Sequence, residues 1–506
     1  MLRHSVKLAH FVLVASTVNF LFFHYPFFKY VFTALDYQSF GGITIIVSLV
    51  IAMLVANAFA LYLIFFLSRF VGKLVLAFFF IINAVAIYFV NTYHVIIDPT
   101  MIGNILNTNY EEASSFLSFR LLLYVILLGI IPVILIIKVK ISKETFKRFL
   151  IHFSLTLIFL IAIVLVNGGN WRWIDKNSPQ LGALVMPWSY MINTSRLYIN
   201  KSKENEKEII LPDTKITDKV KSIAVLVIGE SARSENFSLY GYKKPTNPLL
   251  SEVENLHSFN ATACATYTTA GVKCLLEHTN SNKLYEILPN YLYRNNVEVI
   301  WRTTNWGEPP VHITNFLKKE DLKDRCKGQG CNYDEILLKG LKEQILTSKK
   351  DKILVVLHTS TSHGPSYNTR YPPEFEKFAP VCKSVELGEC SQEELINAYD
   401  NTIVYTDYIL ASLIKDLKEL KEYNSTMLFV SDHGESLGEY NLYMHGIPAA
   451  LAPKEQLEIP FIVWLSDGSK KLNSKETLSQ HHVFHSILNF LAIESPIYDE
   501  NLNIFK

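Results

Sequence analysis

No charge excess marks this 506-residue chain: 48 Lys and Arg stand against 47 Asp and Glu, a net charge of +1 at pH 7. A balance this close supplies no global field for a polyanion, so no nucleic-acid partner is expected. Carboxylates are scarce at the start, where the first 170 residues hold only Asp36, Asp98, Glu111, Glu112 and Glu144. Cysteine is absent from that stretch and first occurs at Cys264. Internal repeats and long low-complexity tracts are also missing, which excludes a solenoid or a collagen-like rod. What fills the first 170 residues is apolar and aromatic. The remainder has the composition of an ordinary α/β protein, and the shift marks the main domain boundary.

Five segments, approximately 8–30, 43–67, 72–90, 117–137 and 149–166, are long and apolar enough to span a bilayer, which takes about 17–25 residues per helix. His24, Tyr25 and Pro26 interrupt the first. Its apolar region is too long for a cleaved signal peptide, and no small-residue cleavage site follows. Arg3 and Lys7, Arg69 and Lys73, and the group Lys138, Lys140, Lys143, Lys147 and Arg148 flank alternate ends of these segments. By the positive-inside rule those stretches are cytoplasmic, and five spans deliver everything after residue 166 to the outer side. In a bacterium with two membranes that side is the periplasm. The expected organisation is a five-span helical transmembrane domain at 1–166, a membrane-surface connector at 167–218 and an exported catalytic α/β domain at 219–506. Trp171, Trp173, Trp188, Tyr190 and Tyr198 interleave with Arg172, Lys176, Arg196 and Lys201 in the connector. That mixture suits the lipid headgroup region, and a packed interdomain linker is the alternative.

All six cysteines lie in the exported part, as three sequence-close pairs. An even set in an oxidising compartment reads as disulfides, and the local pairings Cys264–Cys274, Cys326–Cys331 and Cys382–Cys390 are expected. From Lys221 onward, short apolar runs alternate with helix-compatible stretches, which predicts one α/β domain with a central, mainly parallel sheet. Two of these runs end on chemistry. The run 427–430 leads into Ser431-Asp432-His433-Gly434-Glu435-Ser436, and the run 223–228 leads into Gly229-Glu230-Ser231. Ligands at the carboxyl ends of buried strands are a recurrent way to hold a metal ion. Glu230, Asp432 and His433 are the leading candidates, and a cysteine-free oxygen and imidazole set suits zinc, with manganese as the rival. A fourth position would be filled by water or a hydroxyl. Around Cys264, the hydroxyls of Thr266, Thr268 and Thr269 are equal candidates on residue type alone, and coordination to zinc would make any of them a nucleophile.

The stretch from Gly229 through Arg233, Asn236, Phe237 and Ser238 to Tyr242 resembles one family. So do Cys264-x-Thr266-x-Thr268, His363-Gly364-Pro365, Asn397-Ala398-Tyr399-Asp400-Asn401 and Ser431–Glu435. The family is the phosphoethanolamine transferases, inner-membrane enzymes of the alkaline phosphatase and sulfatase superfamily that include the transferable polymyxin-resistance enzymes. The resemblance covers nearly the whole chain. It implies Thr268 as the nucleophile and Glu230, Asp432 and His433 as the rest of the shell around one firmly bound zinc. It further implies that His363 and His445 contact the substrate phosphate or hold a second, weaker zinc. Asn104, Thr108 and Glu112, in the loop between the third and fourth spans, would meet the donor lipid.

The implied reaction is a two-step transfer. Thr268 takes phosphoethanolamine from phosphatidylethanolamine, releases diacylglycerol, and passes the group to lipid A or another surface glycan. Such a change would weaken the hold of cationic peptides. The implied setting is the bacterial inner membrane, with a monomer whose catalytic domain is periplasmic. Two positions depart from the commonest family pattern: Thr269 replaces a small apolar residue, and Lys273 replaces a proline. The enzyme rival is a phosphoglycerol transferase of the same superfamily. The rival from another class is an envelope sensor with a structural metal site.

Overall fold

The computed structural model describes residues 5–108, 110–204, 208–281, 283–324, 326–467, 471–472 and 477–506. The chain divides into two compact units, Met1–Ile199 and Asn200–Lys506.

The first unit is helical because its segments are apolar on every side, a pattern that only a bilayer or a protein core can satisfy. Its spans are α3 (Phe40–Leu67), α4 (Arg69–Tyr93), α6 (Phe119–Lys138) and α7 (Phe146–Val166). Each starts on a hydroxyl cap. Ser39, Ser68, Ser118 and Thr145 accept hydrogen bonds from the backbone N–H groups of Gly42, Val71, Leu121 and Arg148, which satisfies donors that the helix leaves open. The expected first span is not one straight helix. It is a pair, α1 (Leu8–Phe23) and α2 (Tyr25–Ala34), bent by 64°. His24 sits between them outside helical geometry, and Pro26 lacks the N–H that a continuous helix would need. Counted as one span, the pair brings the total to five.

A short helix, α5 (Pro99–Asn107), follows α4. The connector supplies α8 (Trp171–Leu184) and α9 (Trp188–Glu204). Trp173 donates to the Ala34 carbonyl, Trp188 to Asn57 Oδ1 at 2.6 Å and Tyr190 to Asn83 Oδ1 at 3.0 Å. Its aromatic tips therefore bind the helical unit, as in the packed alternative, while Tyr198 stays exposed. Consequently the unit boundary falls at 199/200, inside α9, rather than at residue 166 or 218.

The second unit is built on an eight-stranded sheet. Its strands are β1 (Ser222–Gly229), β2 (Leu256–Thr262), β3 (Glu298–Thr303), β4 (Asn315–Lys318), β5 (Lys352–His358), β6 (Asn424–Ser431), β7 (Glu458–Leu465) and β8 (Leu478–Ser479). Their order across the sheet is β8-β2-β7-β6-β1-β5-β3-β4. The block β6-β1-β5-β3-β4 is parallel throughout, and only β7 runs against its two neighbours. β1, β5 and β6 are buried along almost their whole length, as continuous apolar runs covered on both faces should be. Leu226, Val356, Leu428 and Trp301 contribute to the core on the face that also takes Val272 and Leu275 of α10 (Thr268–Leu276) and Ile487 of α12 (His482–Phe490). The long α11 (Gln392–Glu419) opens with a reciprocal cap between Ser391 and Glu394. Parallel strands bring their carboxyl ends to one edge, and that edge carries the site.

Candidate active site

Four neighbouring strand ends deliver polar side chains to the same place. β1 ends on Glu230, β6 on Asp432 and His433, β3 on Asn305 and β5 on the stretch that includes His363. Thr268 is the first residue of α10, and its backbone approaches β6 closely at Gly271, where an added Cβ would lie 2.2 Å from the Asp432 carbonyl oxygen. Only glycine permits that approach. The Cys264–Cys274 disulfide ties the loop before α10 to the helix itself, and Cys326–Cys331 and Cys382–Cys390 are also bonded.

The distances among the donors are short and uniform. Thr268 Oγ1 lies 3.4 Å from Glu230 Oε2 and 3.3 Å from His433 Nε2. His433 Nε2 is 3.6 Å from Glu230 Oε1 and 3.3 Å from Asp432 Oδ2. A tetrahedral ion with bonds of about 2.0–2.1 Å spaces its ligands about 3.3–3.4 Å apart. All four side chains are buried, with Asp432 and His433 fully so. Asp432 Oδ1 accepts from the backbone N–H groups of Ser231 and His433, whereas Oδ2 is buried without a partner. An orphaned carboxylate oxygen of this kind is costly unless a cation meets it. Burial and the charge of Glu230 together push Asp432 well above the ordinary carboxylate range. The donor set fits a metal ion.

Surrounding groups fix the orientation of these donors. His433 Nδ1 donates to the Gly434 carbonyl at 2.8 Å, which turns Nε2 toward Thr268 and Glu230. Glu230 accepts from Asn305 Nδ2 at 2.6 Å and from Ser231 Oγ at 2.8 Å. Ser231 has a left-handed backbone, φ 51°, and that turn lets its N–H face Asp432 while its hydroxyl faces Glu230. Strain of this sort is sustained only where the surroundings hold it.

His445 completes the same cluster, its ring centre 4.2 Å from that of His433. Its Nδ1 lies 2.7 Å from Glu435 Oε2, and the other Glu435 oxygen accepts from the Tyr367 hydroxyl at 2.5 Å. Burial, reinforced by His433, pushes the His445 imidazole down to about 3, so it is neutral at physiological pH. Burial pushes Glu435 up to about 7. His363 stands one ring further out, 5.8 Å from His445 between ring centres, with Nδ1 on the Gly364 carbonyl.

Sequence reasoning did not single out Asn305, Ser231, Glu435 or Tyr367. The signal for Asn305 was its place just past an apolar strand, the same signal that marked Glu230. Of the three threonines, Thr266 donates to the Ile447 carbonyl at 2.6 Å, and Thr268 is the one whose hydroxyl lies beside Glu230 and His433. Thr269 is half-buried next to it. Lys273 turns to the Ser281 carbonyl and to Glu277. Two histidines outside this cluster have structural roles: His485 bridges the Asp499 N–H and the His278 carbonyl, and His482 contacts Ser479. Cys264 and Cys274 approach His481, but both sulfurs are in a disulfide. In the helical unit, Thr108 caps α5 and its hydroxyl donates to the Asn104 carbonyl at 2.8 Å. The Asn104 side chain is half-buried, and that of Glu112 lies outside the described residues.

Comparison with known proteins agrees with this architecture. The sulfatase family matches residues 222–493, and the family described as phosphoethanolamine transferase EptA/EptB matches residues 42–202. The phosphoethanolamine transferase EptA of Helicobacter pylori is 38% identical, over 98% of this chain and 96% of that one. Its namesake in Escherichia coli K12 is 31% identical over the same shares. The solved structure of the integral membrane lipooligosaccharide phosphoethanolamine transferase A from Neisseria meningitidis has the same fold. Its TM-score is 0.86 at 24% identity, covering 98% of this chain and 97% of that one.

Proposed function

Since the chain belongs to the phosphoethanolamine transferase family, within the alkaline phosphatase and sulfatase superfamily, we propose that it moves phosphoethanolamine from phosphatidylethanolamine to lipid A or another surface glycan. The observation that carries this reading is the position of the Thr268 hydroxyl, 3.3–3.4 Å from two of three buried metal-binding side chains. A nucleophile that forms a covalent intermediate splits one difficult displacement into two easier ones. In the first step the Thr268 oxygen bonds to phosphorus, the bond from phosphorus to the glyceride oxygen breaks, and diacylglycerol leaves with a proton. In the second, an acceptor oxygen displaces Thr268 and regenerates its hydroxyl.

Glu230, Asp432 and His433, with Thr268, would hold one zinc. When bound, the zinc would lower the pKa of a coordinated hydroxyl and offset charge on the phosphoryl oxygens. The chain's own groups do the positioning. Asn305 and Ser231 hold the Glu230 carboxylate, and Glu435 aligns the His445 ring. Neutral His445, with its proton on Nδ1 toward Glu435, presents Nε2 to accept the proton of the incoming acceptor. His363 is placed to contact the phosphate, and together with His445 it offers nitrogens to a second, weaker zinc. Asn104 and Thr108 at the end of α5, with Glu112, would meet the donor headgroup. The proposed setting is the bacterial inner membrane, with residues after 218 in the periplasm and the chain acting as a monomer.

Purified full-length protein given phosphatidylethanolamine and lipid A should release diacylglycerol and yield lipid A carrying phosphoethanolamine, as read by lipid mass spectrometry. Transfer of phosphoglycerol from phosphatidylglycerol in its place would overturn the donor assignment.

A further inference from the structure

The end of the helical unit that carries its flanking cations holds a concave site unrelated to the proposed chemistry. A cleft of about 1280 Å³ opens where α3 ends, α4 begins and α6 passes into the loop before α7. It is constructed rather than incidental. The N–H of Val6 donates to the Lys140 carbonyl and that of Ser142 to the Val6 carbonyl, both at 2.9 Å, which stitches the N-terminal segment to the loop. Arg69 donates to the Ile141 carbonyl, and Lys73 to the carbonyls of Ile137 and Val139.

The lining is strongly one-sided in charge. Arg69, Lys73, Lys138, Lys140 and Lys143 line the cleft, against the single carboxylate of Glu144. Among the described residues, none of these five cations is ion-paired. Arg69 and Lys73 are four residues apart on one helix, a like-charge spacing that is unfavourable without an anion nearby. The N-terminal end of α4 adds the positive end of its dipole to the same place. Beside the cations, Leu67, Phe70 and Ile137 are 83%, 72% and 60% exposed. Topology requires cations on this side, but it does not require that they converge on a cleft with apolar side chains at its rim.

We propose that this cleft binds the phosphate of an anionic phospholipid of the cytoplasmic leaflet. The phosphate lies among Arg69, Lys138, Lys140 and Lys143, and the acyl chains run along Leu67, Phe70 and Ile137. A basic pocket between helix ends is suited to such a headgroup. The choice of leaflet follows the orientation set by the flanking cations and does not depend on the reaction catalysed at Thr268.

The test is native mass spectrometry of the full-length protein in detergent, with phosphatidylglycerol, phosphatidylcholine and inorganic phosphate as probes. The protein should retain one phosphatidylglycerol about tenfold more tightly than phosphatidylcholine, and added salt should erase the preference. A Lys138→Gln, Lys140→Gln, Lys143→Gln variant should lose the preference and keep its transferase turnover. Should that variant fail to insert, the lipid competition and salt titration on the unaltered chain decide the matter. Equal retention of the two lipids overturns the proposal. So does inorganic phosphate that binds as tightly as the lipid, because the acyl chains then contribute nothing.

Discussion

The two units bury different kinds of polar group. In the helical unit, neutral amides and ring donors answer one another. Asn83 donates to Asn19 at 2.8 Å, Tyr190 donates to Asn83, and Asn19 reaches the Met186 carbonyl at 3.1 Å. In the catalytic unit, Glu230, Asp432, His433 and Glu435 are packed together at 0–1% exposure, and one carboxylate oxygen, Asp432 Oδ2, is left without a partner. Hydrogen bonds between neutral groups close a network at modest net gain. Buried carboxylates leave a surplus of negative charge that a cation must answer. One unit has polar groups that hold helices together; the other has ionisable groups that converge on one another at the strand ends.

The contrast breaks most severely at the proposed nucleophile. Thr268→Ala removes one hydroxyl at the edge of the cluster and should lower turnover by about 1,000-fold or more, while circular dichroism reports an unchanged fold. Asp432→Asn attacks the charge surplus. It should reduce bound zinc, measured by elemental analysis, to a small fraction of one per chain and cut activity by about 100-fold. Asn305→Ala removes only the amide that orients Glu230, and a loss of about 10–100-fold in activity or metal affinity is expected. In the helical unit, Asn83→Ala strips partners from both Asn19 and Tyr190. Its expected cost is about 1 kcal/mol of stability, read as a lower unfolding temperature with turnover unchanged at permissive temperature.

A pH dependence is expected away from the site. Burial pushes Glu277 up to about 7, against the opposing pull of Lys273. The folded chain therefore keeps this proton between about pH 4.5 and 7, where the unfolded chain releases it. The stabilisation is complete below about pH 4.5 and is lost as pH rises through 7. Glu277→Gln should flatten that part of the stability profile, as measured by chemical denaturation at several pH values.

These differences also decide what could be read from residues alone. Apolar length announces a membrane helix without help from tertiary context, and Pro26 already signals the break at His24. β1, β5 and β6 were legible as unbroken apolar runs. β2 and β4 were not, because they lie toward the margins of the sheet and are mostly half-exposed and polar. Asp432 and His433 stand out because ionisable residues at a buried strand end demand an explanation. Thr268 does not stand out from Thr266 and Thr269, since all three offer the same hydroxyl and only the fold separates them. Asn305 is a neutral amide with no metal signature of its own. Glu435 lies inside the conspicuous motif, yet its partner Tyr367 stands 68 residues away in sequence, and residue type alone does not join it to His445.

The central claim is that Thr268 carries the phosphoethanolamine group between donor and acceptor. Its most direct test is to mix the full-length protein with phosphatidylethanolamine without an acceptor, quench in acid, and map the modified peptide by tandem mass spectrometry. The account predicts an added phosphoethanolamine unit on Thr268 that disappears in the Thr268→Ala variant. The same adduct on Thr266 or Thr269, or its persistence in the variant, would contradict it.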